Sequence, residues 1–313
     1  MSDKARAFFT RPLVVYALAT LCCLLWGSAY PSIKNGYALL EIAADDIPGK
    51  LLFAGWRFLF AGLLLLVFAF FTGRRLHLRS AREAGEVCLL GLFQTSLQYV
   101  FFYLGLAYTT GVKGSIMNAT GTFFSVLLAH FIYHNDRITG RKALGCLIGF
   151  GGVLVCNFSD ELLDFHFTLA GEGSVVLAAF ILSAASIYGK KLSQRIDSVA
   201  LTGWQLSVGG LALLALGAAF GGRLQAFSLQ ASLLMAYLVL LSSVAFALWT
   251  LLLKYNRVGL VAVFNFLIPV SGAVLSAIFL NEKILEWKYL IALILVCGGI
   301  WLVTAERAGR PTR

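Results

Sequence analysis

Residues 49–72 read GKLLFAGWRFLFAGLLLLVFAFFT, and only Lys50 and Arg57 among them carry charge. Crossing the hydrocarbon layer of a bilayer takes roughly 20 apolar residues as a helix, and this stretch supplies them in one run. A β-barrel strand would instead alternate apolar and polar residues over about ten positions, which the run from Ala61 to Phe71 does not do. Working outward, comparable runs occupy 13–33, 87–109, 112–133, 140–157, 170–190, 198–220, 230–255, 258–280 and 286–305. These ten predicted spans leave only short connections, so the sequence predicts an all-α integral membrane protein. Only 13% of residues are charged, against about 25% in soluble domains, which is too few to coat a folded surface in water.

A net charge of +10 would suit a nucleic-acid binder, but its distribution speaks for topology instead. Most Lys and Arg fall before the first span, after the even-numbered spans and in the tail, as with Arg74, Arg75, Arg79 and Arg82. The opposite loops hold Lys34, Lys50, Lys113, Arg223, Lys283 and Lys288, and the loop after the fifth span is acidic (Asp160, Glu161, Asp164, Glu172). An excess of roughly threefold in short loops marks the cytoplasmic side. Both termini are therefore expected in the cytoplasm, in a multi-pass protein of the plasma membrane (the inner membrane in a bacterium), with no nucleic-acid partner.

Cys22, Cys23, Cys88, Cys146, Cys156 and Cys297 all fall inside apolar spans without metal-ligand spacing, so they are read as packing residues. The first apolar run exceeds the roughly 7–15 residues of a cleaved signal peptide and ends on Trp26 and Tyr30. No Gly-x-x-x-x-Gly-Lys-Ser/Thr run occurs, so ATP-driven pumping by this chain is not expected. Neither a Ser/His/Asp set nor paired carboxylates converge in any span, so neither an enzyme nor a cofactor or metal site is expected.

The chain repeats itself. Gly55-Trp56-Arg57 followed by Ala61-Gly62-Leu63 matches Gly203-Trp204-Gln205 followed by Gly209-Gly210-Leu211, at an offset of 148. Tyr108 and Asn118 match Tyr255 and Asn265 at 147, and Asp136-Arg137-Ile138 matches Glu282-Lys283-Ile284 at 146, as Gly152 does Gly298. A near-constant offset predicts two five-span repeats, 1–158 and 159–313, forming one membrane unit. Five is odd, so the second copy enters from the opposite side. Inverted-topology repeats of this kind suit alternating access around a central site.

Several of these residues together resemble the drug/metabolite transporter superfamily, EamA type: Trp26-Gly27-Ser28, Arg57, Asn265 to Pro269, the Leu280-Asn281-Glu282 exit, and the glycine pairs near the ends of the fifth and tenth spans. The resemblance covers the whole chain and implies export or exchange of small metabolites without ATP hydrolysis. Two positions depart from it: Thr122, beside Gly121, stands where the second half has Pro269, and Asp136 stands where it has Glu282.

Polar groups inside spans are costly and mark function by default. Arg57 can snorkel, line the path or pair with a helix end. Gln94 and Gln98 share a helix face at i and i+4, continued by Phe102, with Tyr99 and Tyr103 beside it; Ser242, Phe246 and Trp249 occupy the corresponding face of the eighth span. Asn118 and Asn265 open the fourth and ninth spans. Pro269 cannot donate to the residue-265 carbonyl, so Pro269, Gly121 and Pro31 are candidate hinges, with Ser28 and Tyr30 beside a break in the first span. Trp26, Tyr99, Trp204 and Trp249 could form an aromatic cage for a quaternary amine, and Gln205 occupies the Arg57 position of the second half. No Asp or Glu lies deep in a span, which argues against proton-coupled efflux of cationic drugs. His130 near the inner end of the fourth span reads as an interfacial residue. The glycines Gly145, Gly149, Gly152, Gly298 and Gly299 suit close helix packing between the halves.

The sequence thus predicts a secondary transporter that moves a small organic metabolite, amino-acid-like or aromatic, outward by alternating access. Multidrug or quaternary-amine efflux and a non-transporting membrane scaffold are the alternatives. Expected partners are the metabolite and the lipid bilayer, with coupling protons or ions as further candidates, for a monomer or homodimer.

Overall fold

The computed structural model describes residues 3–158, 167–279 and 287–305. Asp160, Glu161, Asp164 and the Leu280-Asn281-Glu282 exit lie outside them. After a short helix, Asp3–Phe9, the helices are α1 Pro12–Leu39, α2 Ile47–Phe71, α3 Ala81–Tyr108, α4 Gly111–Ile132, α5 Gly140–Cys156, α6 Leu169–Ser193, α7 Ser198–Ala219 and α8 Leu229–Tyr255. Next come α9, built from Val258–Ala262, Val263–Phe266 and Leu267–Phe279, and α10, Trp287–Ala305. Among the described residues nine of these helices are long and apolar enough to cross a membrane. The other, α5, has 17 residues, at the lower end of what spanning needs, about 17–25.

Polar caps set the boundaries. Asp46 accepts from Gly49 N at 2.8 Å, Thr110 from Lys113 N and Thr139 from Lys142 N, and Ser228 from Ala231 N. At α3, Ser80 Oγ accepts from Glu83 N while Glu83 accepts from Arg79 N, a capping box that satisfies otherwise orphaned donors. Both α2 and α7 end on a glycine with positive φ, Gly73 at 65° and Gly221 at 79°, a backbone state that costs glycine little. Those two glycines stand 148 apart.

Contacts between loops fix which of them share an end. Asn256 donates to the Phe9 carbonyl, Arg74 pairs with Asp197, and Gly259 N donates to Asp136, so these loops meet where α1 begins, the near end. At the far end Gln225 meets Glu41, and Thr109 donates to Glu172. Two antiparallel seams run between these ends. In the first, α2 lies along α7, with Gly62 against Gly203 and Gly55 against Gly210 so closely that any Cβ would strike the facing helix. In the second, α5 lies along α10 with Gly145 against Gly299 and Gly152 against the Ala292 carbonyl. The glycine strip therefore packs within the chain, whereas a Cβ at Gly298 would meet nothing within 4 Å among the described residues. Around the seams α1 packs on α8 and α9, and α6 packs on α3 and α4. Cys22, Cys23, Cys146 and Cys156 are buried in the same apolar core as Phe264 and Phe266.

Four helices depart from the predicted local geometry, among them α6, which opens with a π turn at Leu169–Gly173. The first span carries Pro31 but stays helical to Leu39, so the break expected at Ser28–Pro31 is absent. Ser28 and Ser32 hydroxyls bond back to the Leu25 and Ser28 carbonyls instead. In α3, residues Leu92–Leu97 form a π turn, with Gln98 N bonded to the Phe93 carbonyl. In α9 a 3-10 turn at Val263–Phe266 stands just ahead of Pro269, where the missing proline donor leaves room for a tighter turn.

Candidate functional site

A cavity of about 270 Å³ lies between the two parts of the chain, walled by α1, α2, α3, α4, α6, α8 and α9. The floor at the near end is made of Leu253, Val258 and Ala262, all buried. Beneath it Asp136 Oδ2 accepts from Gly259 N at 2.9 Å and Oδ1 from Lys142 Nζ at 2.8 Å. Lys190 donates to the Asn256 carbonyl beside this lock. The far rim, with Ile33, Leu106 and Ser115, is only half-buried. The cavity is thus closed at the near end and faces the far end.

The walls are both aromatic and polar. Trp26 meets Phe246 and Trp249 edge-on at 5.4 and 5.1 Å, and Tyr99, Phe102 and Tyr103 continue the ring contacts, with Phe58 behind Tyr99. Gln94, Gln98, Asn118 and Asn265 line the same space. Arg57 joins them, only 2% exposed, with its Nε donating to Ser242 Oγ at 2.7 Å and its guanidinium 5.0 Å from the Phe58 ring. Tyr37, which sequence reasoning missed, also lines the cavity, its buried hydroxyl beside that of Tyr103. Its only sequence signal was its place one turn from the end of α1, which the predicted span stopped short of.

The structure gathers Trp26, Tyr30, Arg57, Gln94, Gln98, Tyr99, Phe102, Tyr103, Asn118, Phe246, Trp249 and Asn265 around this space, with Gly121 and Pro269. Gln94 and Gln98 lie on the same wall, as their spacing predicts, while Thr95 and Ser96 within the π turn meet α7, where Gln205 donates to Thr95 at 2.9 Å and Ser96 to the Gly209 carbonyl at 3.0 Å. Five candidates stand apart. Ser242 touches the site only through Arg57, and Gln205 is spent on Thr95. Trp204 donates its indole N–H to the Leu76 carbonyl at the near end, which removes it from the aromatic cage. Ser28 meets Tyr237 on the outer side of α1, and Pro31 is buried in packing. His130 Nδ1 accepts from Ile138 N at 3.0 Å, outside the cavity.

Comparison with known proteins agrees with this architecture. The EamA-like transporter family model matches residues 13–158 and again 169–305. An uncharacterised transporter of Archaeoglobus fulgidus is 28% identical, over 93% of this chain and 98% of its own length. Transporter YvbV of Bacillus subtilis is 27% identical over 92% and 91%. An Escherichia coli protein described as a probable amino-acid metabolite efflux pump is 24% identical over 90% and 92%. A crystal structure at 19% identity superimposes with a TM-score of 0.76 over 95% of this chain and 99% of that one, so the fold is shared. From the family match over nearly the whole chain, and from apolar helices gathered around a polar cavity, it follows that this multi-pass membrane protein belongs to the EamA-like transporter family.

Proposed function

We propose that the chain is a secondary transporter that exports a small organic metabolite, amino-acid-like or aromatic, by alternating access. The observation that carries this reading is the cavity itself: amides, an arginine and aromatic rings share its walls in an otherwise apolar bundle. Such a surface suits a ligand with one polar end and one apolar end.

Two inverted five-helix repeats, 1–158 and 159–313, would give the cavity its second state. Supporting this, Arg57–Ser242 and Gln205–Thr95 are images of each other at offsets of 148 and 147. So are Ser243 donating to the Ala61 carbonyl and Ser96 donating to the Gly209 carbonyl. The seam partners α2 and α7, and α5 and α10, run antiparallel, as inversion requires. With the basic near end in the cytoplasm, the present state faces outward, and the image of the near-end lock would close the far end in the other.

Quaternary-amine efflux loses support from the displaced Trp204 and from the guanidinium among the cavity walls. The test is flux across proteoliposomes for a panel of amino acids, aromatic acids and choline-like cations. Transport is expected for at least one polar–aromatic metabolite, weakened by Gln98→Ala and Trp249→Ala. No flux for any member, together with no ligand-induced thermal stabilisation, would leave a scaffold as the better reading.

A further inference from the structure

Arg57 brings more chemistry to the cavity than its packing uses. Its Nε holds α8 through Ser242, and at the matching position the neutral Gln205 holds α3 through Thr95 in the same way. An amide is therefore enough for this junction. The guanidinium adds a full positive charge and four further donors. Among the described residues these have no carboxylate within ion-pair distance and no hydrogen-bond acceptor, and the guanidinium's other neighbour is the Phe58 ring, 5.0 Å away, which carries no counter-charge. Tyr37, Tyr99 and Tyr103 stand within electrostatic reach of it. A buried charge held without a counter-ion is costly, and in a spanning helix it marks a ligand path.

Among the described residues no other group in the cavity balances that charge. None of the lining residues described is an Asp or Glu. Lys50 at its rim has Asp45 and Asp46 close by and donates to the Ala44 carbonyl. The acids in the described helices sit near helix ends and are engaged: Glu83 in its capping box, Glu86 with Arg195, and Glu172 with Thr109 and Thr168. Asp136 is locked to Lys142. Among the described residues the cavity therefore offers one cation without a counter-ion and no carboxylate able to trade a proton for cargo.

We propose that the cargo is carried as a net monoanion, its carboxylate or equivalent oxyanion on Arg57 and its body against Trp26, Phe246 and Trp249, and that no counter-ion travels with it. This rests on the alternating-access reading and narrows its substrate class. A cationic ligand would meet the guanidinium, and the ammonium of a zwitterion would find no carboxylate to receive it. Each cycle then moves one negative charge, so an inside-negative potential drives export by about fiftyfold per 100 mV at equilibrium.

The full chain in liposomes tests this with three probes that share a phenyl tail: 3-phenylpropionate, L-phenylalanine and 2-phenylethylamine, each corrected for leak into protein-free vesicles. The expected result is uptake of the anion only, raised by an interior-positive potassium diffusion potential and lowered by an interior-negative one. Faster flux of the zwitterion or the amine, or anion flux indifferent to potential, overturns the inference while leaving the transporter reading intact. Absence of flux and of thermal stabilisation with every probe removes both.

Arg57→Gln, which can keep the bond to Ser242 as Gln205 keeps its own, is expected to melt near the wild-type temperature and to bind 3-phenylpropionate roughly thirtyfold or more weakly. Undiminished binding by that variant would make Arg57 a structural anchor and overturn the inference. If Arg57→Gln does not accumulate, Arg57→Lys serves: it is expected to keep the anion preference at lower affinity, and a switch to phenylalanine would count against the inference.

Discussion

At the near end Lys142 Nζ donates to Asp136 Oδ1 and also to the carbonyls of Asp136 and Arg137. Asp136 is 1% exposed, so removing it strands an ammonium in a dry pocket. Asp136→Ala is expected to cost about 3 kcal/mol, seen as a lower melting temperature in detergent. Adding Lys142→Met should recover part of that loss, because the stranded charge goes with it. Individual residues were unevenly legible. An amide in a lipid span has two destinations, a cavity or a neighbouring helix; Gln98 took the first and Gln205 the second. Trp204 has two, an aromatic wall or a loop carbonyl. Only the placement of the loop after α2 decided for Leu76, and sequence spacing carries no information about that loop.

Helices, by contrast, were readable from apolar runs alone, with errors where the run hid a change of winding. The α3 π turn leaves hydrophobicity untouched, so an apolar run cannot register it, although Gln94, Gln98 and Phe102 still line the cavity together. Pro269 did announce the tight turn in α9, since a missing N–H is visible in the sequence. The seams set a second element-scale expectation. A Cβ at Gly62 would lie 2.5 Å from Ser207 N and 2.6 Å from the Gly203 carbonyl, backbone atoms that cannot step aside. Gly62→Ala should therefore cost about 1–3 kcal/mol. Gly298→Ala, into open space, should stay within about 0.5 kcal/mol. Equal melting temperatures for the two variants would contradict the seam.

For the whole molecule, the cavity is open on one side and sealed on the other, and that asymmetry can be read chemically. With the near end cytoplasmic, Ser115→Cys should react with a membrane-impermeant maleimide added outside, and Val258→Cys should react from neither side. Combining Val258→Cys with Asp136→Ala is expected to admit the reagent from the cytoplasm, since the lock under the floor is gone. Labelling of Ser115→Cys from the cytoplasm alone would reverse the orientation. The offset near 148 was legible before any coordinates, whereas the antiparallel contact between α2 and α7 was not. Lengths and spacings say which segments correspond, not which ones touch.

Arg57 and Ser242 are 185 residues apart along the chain, and this separation bears on how the protein is made. At synthesis rates of about 5–20 residues per second, α8 leaves the ribosome roughly 10–40 s after α2. Through that interval the guanidinium sits in a newly inserted helix with its eventual partner still untranslated, and its long stem must carry it to the headgroups. The nascent first half is then a client for any insertion factor that shelters polar side chains. The last step of biogenesis would be the withdrawal of one arginine from the lipid surface into the finished bundle.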